Sequence, residues 1–256
     1  MNILINPYRR GSKSARSLRD GLRGAGIQTY CFLNNHLGNY LLVNWGSTLC
    51  PQHFPMLNKP GCVAKAVSKV DTFKALRIAN VRTVPALHSK LGAMHYLSCV
   101  PDGVVYCRTL TTASAGKGIV VATEPDEVVE APLYTIGIDD LDRKEYRVHV
   151  FNGKVMHTQE KRRREGYADN NKFSDAVRNL AGGWIFAIRD VTPSEGVKTT
   201  SINAIAALGL DFGAVDILQT SDGRGWVLEV NTACGLEGTT VGKYVDAIKE
   251  YMLEVL

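Results

Sequence analysis

Apolar and polar positions along this chain follow two rhythms, and the switches between them mark the expected elements. Residues 3–5 form a short apolar run that predicts a strand. Residues 15–23 repeat with helical period and meet Gly24 and Gly26, either of which can close a helix. Residues 27–33 and 40–45 read as strands, so the chain opens as a β-α-β-β unit. Residues 46–61 carry three prolines and read as a loop, and 63–80 follow a helical period up to Val84-Pro85. Two strands, 104–108 and 119–122, flank a small-residue loop, and a short helix is expected at 126–130. Residues 146–151 and 154–159 flank Asn152-Gly153, the signal of a type I′ hairpin. Residues 161–171 read as a polar loop, 193–208 as a helix ended by Gly209, and 246–256 as a final amphipathic helix.

The most informative stretch is the second hairpin, residues 212–231. Asp222-Gly223 stands between two apolar-rich runs and predicts a two-residue turn with Ser221 facing Arg224. Counting outward, Asp216 falls opposite Glu229 and Ala214 opposite Asn231, so Asp216, Glu229 and Asn231 share one face. Directly opposed carboxylates repel. In an apolar setting such as Phe212-Gly213-Ala214-Val215 and Trp226-Val227-Leu228 they need a cation or a shared proton. With the Asn231 amide they make an all-oxygen set suited to Mg²⁺. A solvated acidic edge is the plainer alternative.

Composition bounds the rest. The 256 residues suffice for one large or two small domains. An apolar fraction of 45% and a charged fraction of 21% are ordinary for a globular chain, and the net charge of +5 suits anionic ligands such as nucleotides. No run of about 18 apolar residues predicts a membrane span. The N-terminus lacks the layout of a signal peptide. Six cysteines without CxxC spacing read as reduced thiols of a cytoplasmic protein, and six histidines show no zinc spacing.

Several basic positions are candidates for anion binding. The loop Ala113-Ser114-Ala115-Gly116-Lys117-Gly118 lets backbone N–H groups approach an anion, although it lacks Walker A spacing and also reads as a plain turn. Arg108 ends an apolar strand, where a cation is costly without an anion. Arg147 faces inward or outward depending on register. The run 161–164 reads as phosphate- or RNA-binding or as a solvated face.

In this order the elements resemble the ATP-grasp superfamily of carboxylate–amine ligases over roughly residues 63–240. Gly213-Ala214-Val215-Asp216-Ile217-Leu218 with Leu228-Glu229-Val230-Asn231 is similar to the metal hairpin of the ribosomal-protein glutamate ligase branch. The resemblance implies an α/β (α+β) ATP-grasp fold: a short pre-grasp unit over 1–62 and an ATP-grasp domain over 63–256, with a small lobe to 135 and a metal-binding lobe from 136. It implies that Asp216, Glu229 and Asn231 bind two Mg²⁺ ions, for which Mn²⁺ can substitute. It also implies that Lys69 and Arg108 bind ATP phosphates, that Ser114, Gly116, Lys117 and Gly118 close over them, that Leu133, Tyr134 and Thr135 meet adenine, and that Asp139 meets ribose. Arg147, with Lys161 or Arg162, and the Arg178-Asn179 segment would serve catalysis and the acid substrate. Four departures stand out: Thr109 follows Arg108 where proline is usual, Glu145 replaces Asp, Arg178 and Asn179 are adjacent, and Cys234 replaces Pro. The implied activity is an ATP-dependent ligase that activates a small-molecule or peptide carboxylate as an acylphosphate and joins it to an amine. A phosphotransferase on the same fold and a non-catalytic nucleotide- or nucleic-acid-binding module remain as alternatives.

Overall fold

The computed structural model describes residues 2–31, 39–50, 54–112, 116–167, 175, 178–179 and 181–255. The first sheet is parallel and runs β2-β1-β3-β4, from β1 (Asn2–Pro7), β2 (Thr29–Cys31), β3 (Tyr40–Trp45) and β4 (Met56–Leu57). Every residue of β3 is buried, as expected of a parallel strand covered on both faces. Helix α1 (Lys13–Gly24) starts where the Ser12 hydroxyl accepts from Ala15 N, and buries Ala15, Leu18 and Leu22 at helical spacing. Gly26, at φ 81°, closes it.

Helices α2 (Pro60–Val67) and α3 (Lys69–Ile78) follow. The second sheet is antiparallel, β5-β8-β6-β7, built from β5 (Ala86–Leu87), β6 (Val105–Arg108), β7 (Ile119–Ala122) and β8 (Leu133–Ile136). Helix α4 (Lys90–Cys99) covers one face through Ala93 and Leu97. The third sheet, β11-β10-β9-β12-β13, is antiparallel throughout. Its strands are β9 (Lys144–Phe151), β10 (Lys154–Arg163), β11 (Trp184–Ala187), β12 (Phe212–Gln219) and β13 (Gly225–Asn231). Helix α5 (Glu195–Leu208) packs on the face carrying Tyr146, Val148, Val150, Val215 and Ile217. Helix α6 (Thr239–Val255) joins α1 and the first sheet to the third. Among the described residues no helix is long and apolar enough to cross a membrane.

Several elements depart from the sequence expectation. The loop expected at 46–61 contains β4 and the start of α2, where Pro60 takes the first helical position, one that lacks an N–H partner in any case. The single helical period of 63–80 is broken at Ser68, whose hydroxyl accepts from Asp71 N and caps a new helix. Residues 161–163 are not loop: they extend β10 and pair with β11. Helix α4 and strand β11 had no signal in the apolar pattern. The short helix near 126 is a 3₁₀ turn at Pro125–Glu127, and α6 begins seven residues earlier than its amphipathic stretch suggested. The six cysteines are free thiols, but only Cys107 and Cys234 are buried.

Asn58 joins the first sheet to the third. It is fully buried at φ 61°. Its side chain accepts from Asp211 N (2.8 Å) and Phe212 N (3.2 Å) and donates to Phe212 O (2.9 Å). Phe212 stacks on Trp45, with centroids 5.5 Å apart, and meets Tyr244 edge-on. Asn58→Ala strands the Asp211 and Phe212 backbone groups. Each buried orphan costs about 1–3 kcal/mol, so the variant should lose about 3 kcal/mol in urea unfolding. A loss under about 1 kcal/mol would show that the junction does not depend on these bonds.

Candidate active site

The β12–β13 hairpin brings its polar residues together by a different route from the expected turn. Asp222-Gly223 does not form a two-residue turn. Thr220 N donates to Arg224 O (3.0 Å) around a three-residue loop, with Gly223 at φ 80°. Next to this loop Gln219 therefore faces Gly225, one residue from the expected register. A β-bulge at Leu228 then restores it, so that Asp216 does face Glu229 and Ala214 does face Asn231. The two deviations cancel.

The register extends across the sheet. Gln159 faces Arg147, Arg147 faces Asp216, and Asp216 faces Glu229, one row over four strands. Arg147 donates through Nε and Nη2 to Asp216 Oδ1 (2.6 Å) and Oδ2 (2.8 Å). One turn of the pleat away, Lys161 Nζ donates to Glu145 Oε2 (3.1 Å) and lies 3.8 Å from Asp216 Oδ2. Asn231 Nδ2 donates to Glu229 Oε1 (3.0 Å), and Lys69 Nζ lies 3.4 Å from Glu229 Oε2. Lys69 gets there because the Ser68 break makes it the first residue of α3. The repulsion expected of the opposed carboxylates is thus balanced by three cations. Phe186 of β11 backs the row, with the Arg147 guanidinium 4.3 Å from its ring centroid.

Facing this row, the second sheet contributes Tyr106, Arg108 and Thr135, and Gly116 stands at the rim. Buried Arg108 donates through Nε to Thr135 Oγ1 (3.1 Å), and Arg143 donates to Ile138 O (2.7 Å). Val84, Ile138 and Leu228 form an apolar wall. The two sheets enclose a cavity of about 380 Å³. It is joined at one side by the chain at 82–84, where Val227 N donates to Arg82 O (3.0 Å) and Val84 N donates to Val227 O (3.3 Å).

Burial pushes the Asp216 carboxyl up, but Arg147 and Lys161 outweigh it and hold the group below the usual carboxylate range. Burial likewise opposes the charges of Lys161 and Arg147, and their carboxylate partners prevail and raise both. Among the described residues Arg108 has no carboxylate in hydrogen-bond reach, and burial lowers it. That is the position of a cation set to receive an anion. Asp216, Glu229 and Asn231 offer oxygen only. Arg147 uses two of about four lone-pair sites on Asp216, which leaves the set chemically fit for Mg²⁺.

No family model matches the chain. Over 148 residues it is 30% identical to a probable alpha-L-glutamate ligase of Azotobacter vinelandii, covering 57% of this chain and 44% of that protein. Over 127 residues it is 29% identical to a D-alanine–D-alanine ligase of Methylacidiphilum infernorum, covering 49% and 39%. The chain therefore spans less than half the length of the curated relatives it matches. Among solved structures, the ATP-grasp ligase PsnB complexed with a minimal precursor superposes with a TM-score of 0.69 at 16% identity, over 98% of this chain and 99% of that one. The D-alanine–D-alanine ligase from Bacillus anthracis gives 0.67 at 16% identity, over 100% and 98%.

The chain has the ATP-grasp fold.

Within this ATP-grasp cleft the structure gathers most of the residues singled out in the sequence. Arg108, Gly116, Thr135, Arg147, Lys161, Arg178, Asn179, Asp216, Glu229 and Asn231 line it, and Lys69 reaches it through Glu229. Others lie elsewhere. Arg162 alternates to the opposite side of β10 from Lys161, and binds Glu160, Arg189 O and Asp190 O. Tyr134 points away from the cleft into the core under α4, where its hydroxyl donates to Val129 O (3.2 Å). Leu133 sits behind the apolar wall. Lys117 is exposed, Gly118 O accepts from Thr109 N (2.8 Å), and Asp139 is exposed outside the lining. Ser114 lies outside the described residues. Tyr106, Arg143 and Phe186 were missed. Tyr106 shares a strand face with Arg108, which period-two counting does show. Phe186 is on β11, a strand without a sequence signal.

Beneath the row lies a buried polar chain. Gln159 Oε1 accepts from His149 Nε2 (3.1 Å), so Nδ1 accepts from the Tyr244 hydroxyl (3.1 Å), and Tyr244 in turn lies 3.3 Å from Cys234 Sγ. His157 stacks beside His149, 5.6 Å between centroids, and its Nε2 finds no partner among the described residues. Burial lowers both imidazoles, His149 to about 4. The unfolded chain then takes up protons first, so stability is complete above pH of about 6.5 and falls as the pH drops toward 4. For His149 the loss is about 3 kcal/mol. His149→Gln should flatten most of the stability profile in that window, as read by urea unfolding at stepped pH. A variant profile as steep as wild type would place the acid sensitivity elsewhere.

Proposed function

We propose that this chain is an ATP- and Mg²⁺-dependent ligase that joins a carboxylate to an amine through an acylphosphate and releases ADP. The observation that carries the reading is the row Arg147–Asp216–Glu229 with Asn231 and Lys161. It sets an oxygen donor set beside two buried cations in one cleft of an ATP-grasp fold. The sequence similarity to proteins named as glutamate and D-alanine–D-alanine ligases supports the same reaction class.

In this reading residues 1–62 form the pre-grasp unit, 63–135 the small lobe and 136–256 the metal-binding lobe. Lys69 and Arg108 hold ATP phosphates, the segment around Gly116 closes over them, and the backbone of 135–138 with the apolar wall holds the adenine. Arg178 and Asn179 hold the acid: a guanidinium grips a carboxylate bidentately, and Trp184 supports this one at 4.5 Å. A substrate carboxylate oxygen attacks the γ-phosphorus, the bond to the leaving oxygen breaks, and ADP departs. The amine nitrogen then attacks the acyl carbon, phosphate leaves with the C–O electron pair, and the nitrogen gives up a proton. No enzyme nucleophile is needed. Arg147 and Lys161 neutralise charge on the transferred group, and the closed cleft keeps water from the acylphosphate. Bound Mg²⁺, one or two ions with Mn²⁺ as a substitute, would supply charge neutralisation on the phosphates through Asp216, Glu229 and Asn231. The reduced thiols suit a cytoplasmic setting.

Glu229→Gln tests the metal role more cleanly than Asp216→Asn, which leaves Arg147 buried against a neutral partner at about 3–5 kcal/mol. The Glu229→Gln enzyme should stay folded, with a modest loss of stability from Lys69, and lose ADP release in Mg²⁺ with a panel of carboxylates and amines. Full turnover would overturn the assignment. In wild type, an amide product formed together with ADP identifies a ligase, whereas ADP formed with a phosphorylated acceptor and no amide identifies a phosphotransferase.

Lys69→Ala and Arg108→Ala each remove a charge-assisted contact worth about 1.5–3 kcal/mol. Each should weaken calorimetric ATP affinity roughly ten- to a hundredfold. Unchanged affinity in both would remove these residues from the phosphate site.

A further inference from the structure

The charge of this chain is concentrated at one place. Residues 8–23 hold Arg9, Arg10, Lys13, Arg16, Arg19 and Arg23 against a single acid, Asp20. Their net +5 equals that of the whole protein, and the remaining sequence is balanced. The four basic residues on α1 are spaced three, three and four apart, so they form one stripe beside the buried Ala15, Leu18 and Leu22. Arg9, Arg10, Lys13, Arg16 and Arg23 are exposed, and Arg19 is partly exposed and paired with Asp20. On the neighbouring α6, Glu250 and Glu254 are turned to Lys154 and Asn152 at the β9–β10 turn.

The stripe leads into the cleft. Tyr8 to Ser12 follow the carboxyl end of β1, and Gly46 follows that of β3, the end of a parallel sheet where ligands bind. Tyr8 N donates to Trp45 O (3.0 Å). Gly46 has φ 80°, and a β-carbon there would lie 2.6 Å from Ala233 Cβ and 3.6 Å from Tyr8 Cβ. Ala233 is a wall of the cleft, so one glycine separates the basic segment from the site.

We propose that residues 8–23 are a docking surface for an acidic polypeptide segment, which they lead to the cleft. Docking stands on the charge distribution alone, and delivery to the cleft rests on the ligase reading. Arginine-rich surfaces also suit single-stranded nucleic acid, but that class binds by base stacking on aromatic platforms. The one aromatic side chain in this segment is Tyr8, and the Arg9 guanidinium lies 5.2 Å from its ring centroid. An acidic peptide needs no stacking, pairs its carboxylates with guanidinium forks, and carries the functional group that the cleft is built to activate.

The test is fluorescence anisotropy on the full chain with three labelled probes of about ten units: oligoglutamate, oligoglutamine and oligothymidylate. Oligoglutamate should bind on the order of tenfold tighter than either other probe, and its affinity should fall between about 50 and about 300 mM salt. The triple variant Arg9→Ser, Arg10→Ser, Lys13→Ser should lose on the order of tenfold in oligoglutamate affinity, with ATP affinity and unfolding midpoint unchanged. The charge-conserving triple Arg9→Lys, Arg10→Lys, Lys13→Arg should retain binding, and Arg16→Ser with Arg23→Ser provides a second loss. No oligoglutamate binding by wild type, equal or tighter oligothymidylate binding, or undiminished oligoglutamate binding by both loss variants overturns the proposal. These readouts need no turnover, so an enzyme without ligase activity leaves docking intact, and lost docking leaves the ligase reading intact.

Discussion

The bidentate Arg147–Asp216 pair is the contact on which the cleft depends. Asp216 is 4% exposed, and an isolated carboxylate at that depth would take up a proton. Arg147 on one neighbouring strand and Lys161 at 3.8 Å keep it charged. A charged Asp216 in turn keeps Lys161 charged, and Lys161 carries Glu145. The next carboxylate in the row, Glu229, draws Lys69 from a different helix. Removing one charge from such a set costs more than one contact, because its partners stay buried without compensation.

The set is also nearly balanced, and that suits a site for a polyanion. Glu145, Asp216 and Glu229 face Lys69, Arg147, Lys161 and Arg178, while Arg108 stands across the cleft with no carboxylate in hydrogen-bond reach among the described residues. A cation buried without an anion is unfavourable, and an anionic ligand beside it would relieve that cost. Behind it, the Gln159–His149–Tyr244–Cys234 chain is neutral and internally satisfied. It supports the loop after β13 without adding charge to a crowded region.

Different parts of the molecule carry these two polarities. The inner cleft sets cations against carboxylates, whereas the outer face of α1 and the loop before it carry six basic residues and one acid. In the proposed reading the cleft takes a small, dense anion held at short range. The proposed α1 docking face takes a longer one met in solvent, where screening makes each contact weak and number makes up for it.

The sequence by itself determined the shared face of Asp216, Glu229 and Asn231, the Asn152-Gly153 turn, the helices at α1 and α5, and the identity of the fold. Each of these rests on a local rule: period-two alternation, an Asn-Gly pair, a helical period with a glycine stop, or a motif read in order. Tertiary structure alone decided the bulge at Leu228, without which the three-residue loop would have slipped Asp216 past Glu229. It also decided the choice of Lys161 over Arg162, which depends on the phase in which β10 leaves its own bulge near His157. Strand β11, with Phe186 behind Arg147, and helix α4 are held by packing on neighbours distant in sequence, and so they leave little periodic trace. A local pattern records what each residue does to its neighbours in the chain. Register, facing and charge balance record what distant strands do to one another, and those energies exist only once the sheet has formed.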